Sequence, residues 1–340
     1  MPTLIDVAAA AGVSRSTVSN VFVHPELVRT EVRERVEAVA RAIGYDGPDA
    51  KGRLLRAGKF NALGVVMADA AGIAEIVRSP YGRDLLAGIA EVCAEAGVNL
   101  SIVSGAEDGV REALADGLIL DRAADVPRAK LRRKPFALVD DEAGNDVNSV
   151  RVDGLGGAKL AAEHVAALGH RQLVIVAVRG EPGPLEFHPP GRDRDLGLSP
   201  LAAEKFRGYG EALAKAGVTV DRLPVIVSQP GDPGIGAAVL DRAPEATAAL
   251  VMTDRQAVTI LEEAKRRGVV VPRDLSVMGF DGVSAGALSD PPLTTIVQQV
   301  VEKGRIAARM ILGSEKPKQV VLPVRLVGRS STAAPRKTSR

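Results

Sequence analysis

Arg15, Ser16 and Asn20 are side chains that can hydrogen-bond to base edges, provided one helix presents them together. The surrounding stretch, TLIDVAAAAGVSRSTVSNVF (3–22), reads as two short helices around a glycine turn. Thr3 and Asp6 have the T-x-x-D spacing of a capping box, and alanines 8–11 keep the first helix thin. Gly12 supplies the turn, and Ser14 caps a second helix that starts near Arg15. Val13, Val18 and Val21 fit one buried side, which leaves Arg15, Ser16 and Asn20 facing outward. A helix-turn-helix sets such side chains in the DNA major groove. A generic helical hairpin is the competing reading, and the agreement of caps, turn and polar face favours DNA.

Catalytic chemistry has no comparable constellation. His24, His164, His170 and His188 lack metal-ligand spacing, and no G-x-S-x-G elbow occurs. GLGGAK (154–159) lacks both the third glycine of a dinucleotide loop and a Walker lysine–serine pair. The expectation is therefore no enzyme, no catalytic residue, no metal and no cofactor. Cys93 is the single cysteine, so an intramolecular disulfide is excluded; it falls among Leu86, Ile89 and Val92 as a buried structural thiol. The net charge is only +2, so DNA affinity must come from local placement of Lys and Arg. With no signal peptide and no run of eighteen apolar residues, a cytoplasmic protein with no membrane contact is expected.

The elements that must position these residues divide the chain. A third helix fits residues 31–43, with Val32, Val36, Val39, Ala40 and Ile43 on one face, Thr30 as cap and Gly44 as stop. This gives an all-α head at 1–46 and a hinge at 47–60. In the hinge, Leu54 and Leu55 lie between Arg53 and Arg56, a pattern suited to a minor-groove wedge; a solvated tether is the alternative. From residue 62, apolar strands at 62–68, 98–104, 116–120 and 136–140 alternate with amphipathic stretches near 83–96 and 123–133. A second series has strands at 172–178, 223–228, 248–253 and 275–280. The expected core, 61–329, is thus α/β, with two doubly wound parallel-sheet subdomains at about 61–152 and 153–285. Crossover segments (286–329) and a polar tail (330–340) follow, and a cleft between the subdomains is the natural small-molecule site. Residues 179–199, rich in proline, glycine and charge, read as a disordered surface excursion or a flap over that cleft.

Taken together, the chain resembles the LacI/GalR family of bacterial transcriptional regulators over roughly residues 3–334. The resemblance rests on DVAAAAGVSRSTVSNV, GPDAKGRLLRAGK, GGAKLAAEHVAALGHRQL, VPRDLSVMGFDG, DPPLTTIVQQ, EKGRIAARMIL and LPVRLVGRSSTAAP in that order. It implies a periplasmic-binding-protein-like core and a homodimer acting as a repressor on palindromic double-stranded operator DNA. It also implies a small-molecule effector, a sugar or nucleobase-type metabolite. A solute-binding protein, or an α/β enzyme with an accessory helical head, is the runner-up.

By the same resemblance, Arg15 and Ser16 hold base-reading positions, with Thr17, Ser19, Asn20 and Arg29 completing the DNA-facing set. Leu55 matches the hinge wedge, with Arg53 and Arg56 beside it on phosphates. Asn20 stands where many members carry arginine, which changes the favoured base from guanine toward adenine. Asp281 and Gln298 match ligand-touching positions, and Asp153, Thr253 and Asp254 lie at strand ends facing the cleft. Asp153 can instead be a helix cap, and Asp281 a turn former. Lys205 replaces a usual arginine, exchanging a planar fork for a point charge. In a chain without tryptophan, Tyr81 and Phe280 are the candidates for an apolar wall of the cleft, or else core.

Overall fold

The computed structural model describes residues 2–47, 60–67, 73–103, 113–121, 134–141, 146–191, 194–313 and 318–336. They fall into two units, divided after Asn61.

In the first unit, the capping box forms at the start of α1 (Leu4–Ala11). The Thr3 hydroxyl accepts from the Asp6 N–H at 3.4 Å, and Asp6 Oδ2 accepts from the Thr3 N–H and O–H at 2.8 Å each. These donors hold the Asp6 carboxyl below the usual carboxylate range. Gly12 ends α1 at φ +63°, where a residue with a Cβ would be disfavoured by roughly 1–2 kcal/mol. Ser14 caps α2 (Arg15–Val23) by accepting from the Thr17 N–H at 3.1 Å, an interaction worth about 1 kcal/mol against alanine.

The third helix, α3 (Thr30–Ile43), corrects one expectation. Thr30 is its first helical residue and Arg29 takes the cap position, because Arg29 already has the extended backbone (ψ 140°) that a cap requires. Gly44 stops the helix as expected. Val7, Ala8, Ala11, Val18, Val21, Val36 and Ala40 form the core of this unit; Val32 and Val39 pack partly against it, and Ile43 is exposed.

The second unit begins with β1 (Ala62–Met67), α4 (Ile73–Arg78), α5 (Pro80–Ala96), β2 (Asn99–Val103), β3 (Gly117–Asp121), β4 (Phe136–Val139) and β5 (Asn148–Val152). It continues through α6 (Gly154–Ala167), β6 (Leu173–Val178), β7 (Glu186–His188), α7 (Pro200–Lys215), β8 (Val225–Ser228), α8 (Ile235–Arg242) and β9 (Ala248–Val251). It ends with α9 (Asp254–Arg267), β10 (Ser276–Asp281), α10 (Ser284–Ala287), β11 (Thr294–Val297), α11 (Val300–Leu312), β12 (Gln319–Leu322) and β13 (Arg325–Val327). The helix expected near 123–133 lies outside the described residues.

Six strands in the order β12-β5-β4-β3-β1-β2 make an all-parallel sheet. Seven in the order β13-β11-β10-β9-β6-β8-β7 make a second sheet, parallel except at its antiparallel edges β13 and β7. The central strands are continuous Val, Leu and Ile runs because helices cover both faces, as parallel sheets require. The chain crosses between sheets after β5, after β11 and after β12, so residues distant in sequence meet along the seam.

On one face of the first sheet, α5 and α11 touch backbone to backbone. A Cβ on Gly88 would lie 1.9 Å from the Val301 carbonyl oxygen, and one on Gly304 would lie 2.3 Å from that of Leu85. Only glycine permits this approach. Cys93, on α5, is buried as expected, and burial pushes its thiol pKa up.

Segment 179–199 is not a disordered excursion over its described residues. Its β7 pairs with β8, Arg179 bridges Leu198, and the Arg194 guanidinium donates to the carbonyls of Pro189, Val220 and Leu223 at 2.9–3.0 Å. Proline and glycine shape these turns, and the backbone hydrogen bonds that the composition hides hold them. Packing also continues past 330, where the tail was expected to begin. Ser331 is buried, donating to the Val277 carbonyl at 2.6 Å and accepting from the Thr294 N–H at 2.8 Å.

Candidate functional site

On the first unit, α2 turns one side into the core and one outward. Val18 and Val21 are buried, Arg15, Ser16 and Arg29 are exposed, and Thr17, Ser19 and Asn20 are half-buried. Ser16 and Thr17 each bring a hydroxyl within 2.8 Å of Ser14 Oγ, so the start of α2 is internally braced. The exposed guanidinium beside these hydroxyls can meet a groove edge or a phosphate. Arg53, Leu55 and Arg56 lie outside the described residues.

In the second unit, a cavity of 560 Å³ opens at the C-terminal ends of strands from both sheets. That is where ligands bind in open α/β folds. Of the expected ligand contacts, Tyr81, Lys205, Thr253, Asp281 and Gln298 line it.

Three others do not, and each has a physical reason. Asp153 is spent as the cap of α6, accepting from the Gly156 N–H at 2.8 Å with its side chain in solvent. Asp254 is fully buried beneath the wall. There it accepts from the N–H groups of Gly282 and Val283 at 2.8 and 3.0 Å, and from the Thr295 hydroxyl at 2.6 Å. Phe280 is also fully buried, and its ring supports Lys205, whose Nζ stands 3.7 Å from the ring centroid.

Lys205 Nζ also donates to the Met252 carbonyl at 2.9 Å. Desolvation lowers its pKa, opposed by the nearby Asp281 and Asp140 charges. Burial likewise raises the Asp281 pKa, with Lys205 opposing. Asp140 and Asp281 sit at the strand ends with φ of 54° and 127°, left-handed values that strain a residue with a side chain. Such strain concentrates at ligand sites.

Several lining residues escaped the sequence reading: Ser79, Asp140, Ser199, Gln229, Asp232 and Arg255. Asp140 had a legible signal, since it ends the apolar run FALVD. A buried amine, Lys303, joins the wall from behind. It donates to Asp140 Oδ2 and, at 2.8 Å, to Gln298 Oε1. Its signal was a charge on the apolar stripe of α11 formed by Val300, Gly304, Ala307 and Ala308. The Tyr81 hydroxyl donates to Asp140 Oδ2 at 2.7 Å and lies 3.2 Å from Asp121 Oδ1, so it braces the same wall.

This arrangement combines apolar surface from Val152, Val178, Leu201, Met252 and Val283 with carboxylate, amide, hydroxyl and cationic groups. It can enclose a small polar molecule, accepting from its hydroxyl or amine groups through Asp140 and Asp281. Among the described residues no group of His, Cys, Asp and Glu side chains is arranged to hold a metal ion, and no helix is long and apolar enough to cross a membrane.

Comparison with known proteins gives consistent matches to both units. Residues 3–47 match the model for bacterial regulatory proteins of the lacI family, and residues 162–332 match a periplasmic binding protein-like domain. An HTH-type transcriptional regulator of Mycobacterium tuberculosis is 34% identical, covering 95% of this chain and 92% of the relative. The HTH-type transcriptional repressor CytR of Escherichia coli is 29% identical, covering 98% of this chain and 96% of the relative. Among solved structures, the lac repressor dimer bound to operator and the anti-inducer ONPF is similar in fold. Its TM-score is 0.74 at 24% identity, with coverage of 98% of this chain and 99% of that one.

Proposed function

Because the chain belongs to the LacI family of bacterial regulatory proteins, we propose that it acts as a ligand-controlled repressor, binding a palindromic operator as a homodimer. It is a transcriptional regulator with an effector-binding domain, and not an enzyme. The observation that carries the proposal is the pairing of a capped helix-turn-helix bearing exposed Arg15 and Ser16 with a cavity lined from both sheets. A relative named as a repressor, and a fold neighbour described as a dimer on operator, support the finer reading.

In this reading Arg15, Ser16, Thr17, Ser19 and Asn20 face the major groove, and Arg29 meets the backbone. Arg53, Leu55 and Arg56 enter a minor groove between half-sites. Tyr81, Lys205, Thr253, Asp281 and Gln298 contact the effector. The effector is a sugar or nucleobase-type metabolite, and the protein works in the cytoplasm, where its operator is. Effector binding turns the two sheets relative to one another and changes operator affinity.

Selecting duplexes from a random pool with the full chain tests the proposal. Enrichment of an inverted repeat supports it, and a pool that stays random contradicts it. The same selection with Asn20→Arg should move the preferred base at one position in each half-site from adenine to guanine, by about 1–3 kcal/mol of discrimination. An unchanged base there removes Asn20 from the reading set.

A further inference from the structure

Lys303 is fully buried on the apolar face of α11, between Val300 and Ala307. An ammonium removed from water is costly unless its donors are matched. Here all three N–H donors have acceptors: Asp140 Oδ2, Gln298 Oε1 at 2.8 Å and the Tyr81 hydroxyl at 3.5 Å. The glycine contact between α5 and α11 fixes its depth, since Gly304 is the next residue and α5 carries Tyr81.

Gln298 extends the connection. Its Oε1 accepts from the ammonium while its Nε2 donates to Asp281 Oδ1 at 2.7 Å, so the two charges select one amide orientation. Asp140 follows β4 of the six-stranded sheet, and Asp281 ends β10 of the seven-stranded sheet. Tyr81, Asp140, Gln298 and Asp281 all line the cavity, and Lys303 joins them from behind.

We infer that Lys303 is a positioning residue: its ammonium ties Asp140 of one sheet to Gln298, and through it to Asp281 of the other, setting how the cavity walls face one another. An uncharged residue would satisfy the helical pattern of α11 equally well, so packing alone does not account for the charge. The inference rests on the proposed function in taking this cavity as the effector site. It adds a specific seam-crossing link through which an occupant touching either wall acts on the other.

The test uses the full chain without ligand. Lys303→Met leaves a buried carboxylate deprived of its ammonium and can fail to fold. A second variant, Lys303→Met with Asp140→Asn, removes that charge and keeps an acceptor for Tyr81. In this double variant, amide hydrogen exchange should accelerate roughly tenfold at residues 138–141 and 296–299, with β6 and β9 unchanged. Exchange as in the parent chain at both segments overturns the inference. So does equal acceleration throughout both sheets, which would make Lys303 a contributor to overall stability alone. Neither operator nor effector enters the measurement, so its failure is distinguishable from failure of the regulatory reading.

Discussion

Asp254→Ala should lower the stability of the second unit by about 3–5 kcal/mol, the scale of leaving three buried neutral donors unpaired at about 1–3 kcal/mol each. The carboxylate accepts from two backbone N–H groups and one hydroxyl at 2.6–3.0 Å in a fully buried position. Alanine leaves these donors in a dry site, and buried N–H groups without partners are rarely tolerated. The Gly282 and Val283 donors follow directly on Asp281, so the loss also loosens one cavity wall.

The pH dependence has a defined sign. Burial, then the neighbouring Asp281 charge, raises the Asp254 pKa above the ordinary 3.8, while its hydrogen bonds oppose the shift. The folded chain therefore holds this proton more strongly than the unfolded chain. The stability so contributed is present below about pH 4 and is lost as the pH rises through the elevated folded value. Urea unfolding of the parent chain, Asp254→Ala and Asp254→Asn at about pH 5 and about pH 8 checks both points. The alanine variant should unfold at much lower urea, and the asparagine variant should lose this component of the pH slope. An alanine variant as stable as the parent would deny Asp254 its structural role.

Arg15→Ala combined with Ser16→Ala should weaken specific operator binding by roughly 30- to 20,000-fold, the product of two base contacts worth about 1–3 kcal/mol each. Arg15 and Ser16 are exposed and outside the core of the first unit, so folding should change little. Binding to a scrambled duplex should fall much less, since only one cation is removed. Anisotropy titrations on the selected and scrambled duplexes at one salt concentration separate these outcomes. Equal losses on both would make Arg15 a phosphate contact instead of a base reader.

The first unit was legible in detail because its signals are local. Thr3, Asp6, Gly12 and Ser14 act through neighbours a few residues away, and each did what its spacing implied. Thr30 misled because two adjacent residues competed for one cap, and backbone dihedrals decided it. The buried strands were legible as apolar runs, but β5, β7 and β11–β13 are short or polar and depend on partners distant in sequence.

The cavity divided along the same line. Strand-end position drew attention to Thr253 and Asp254, and the family resemblance to Asp281, yet only tertiary packing separates a carboxylate lining a cavity from one buried under it. Asp153 followed its local capping alternative. Lys303 meets Asp140 from 163 residues away, a pairing that no local pattern contains.

We propose that occupancy of the cavity controls DNA binding by the helix-turn-helix. It is tested most directly by titrating the selected operator with the full chain, with and without a saturating small molecule identified by thermal shift. The expected result is an operator affinity changed by roughly 5–150-fold, a coupling of about 1–3 kcal/mol. Identical affinity in both titrations, with the molecule bound in the cavity, would contradict it.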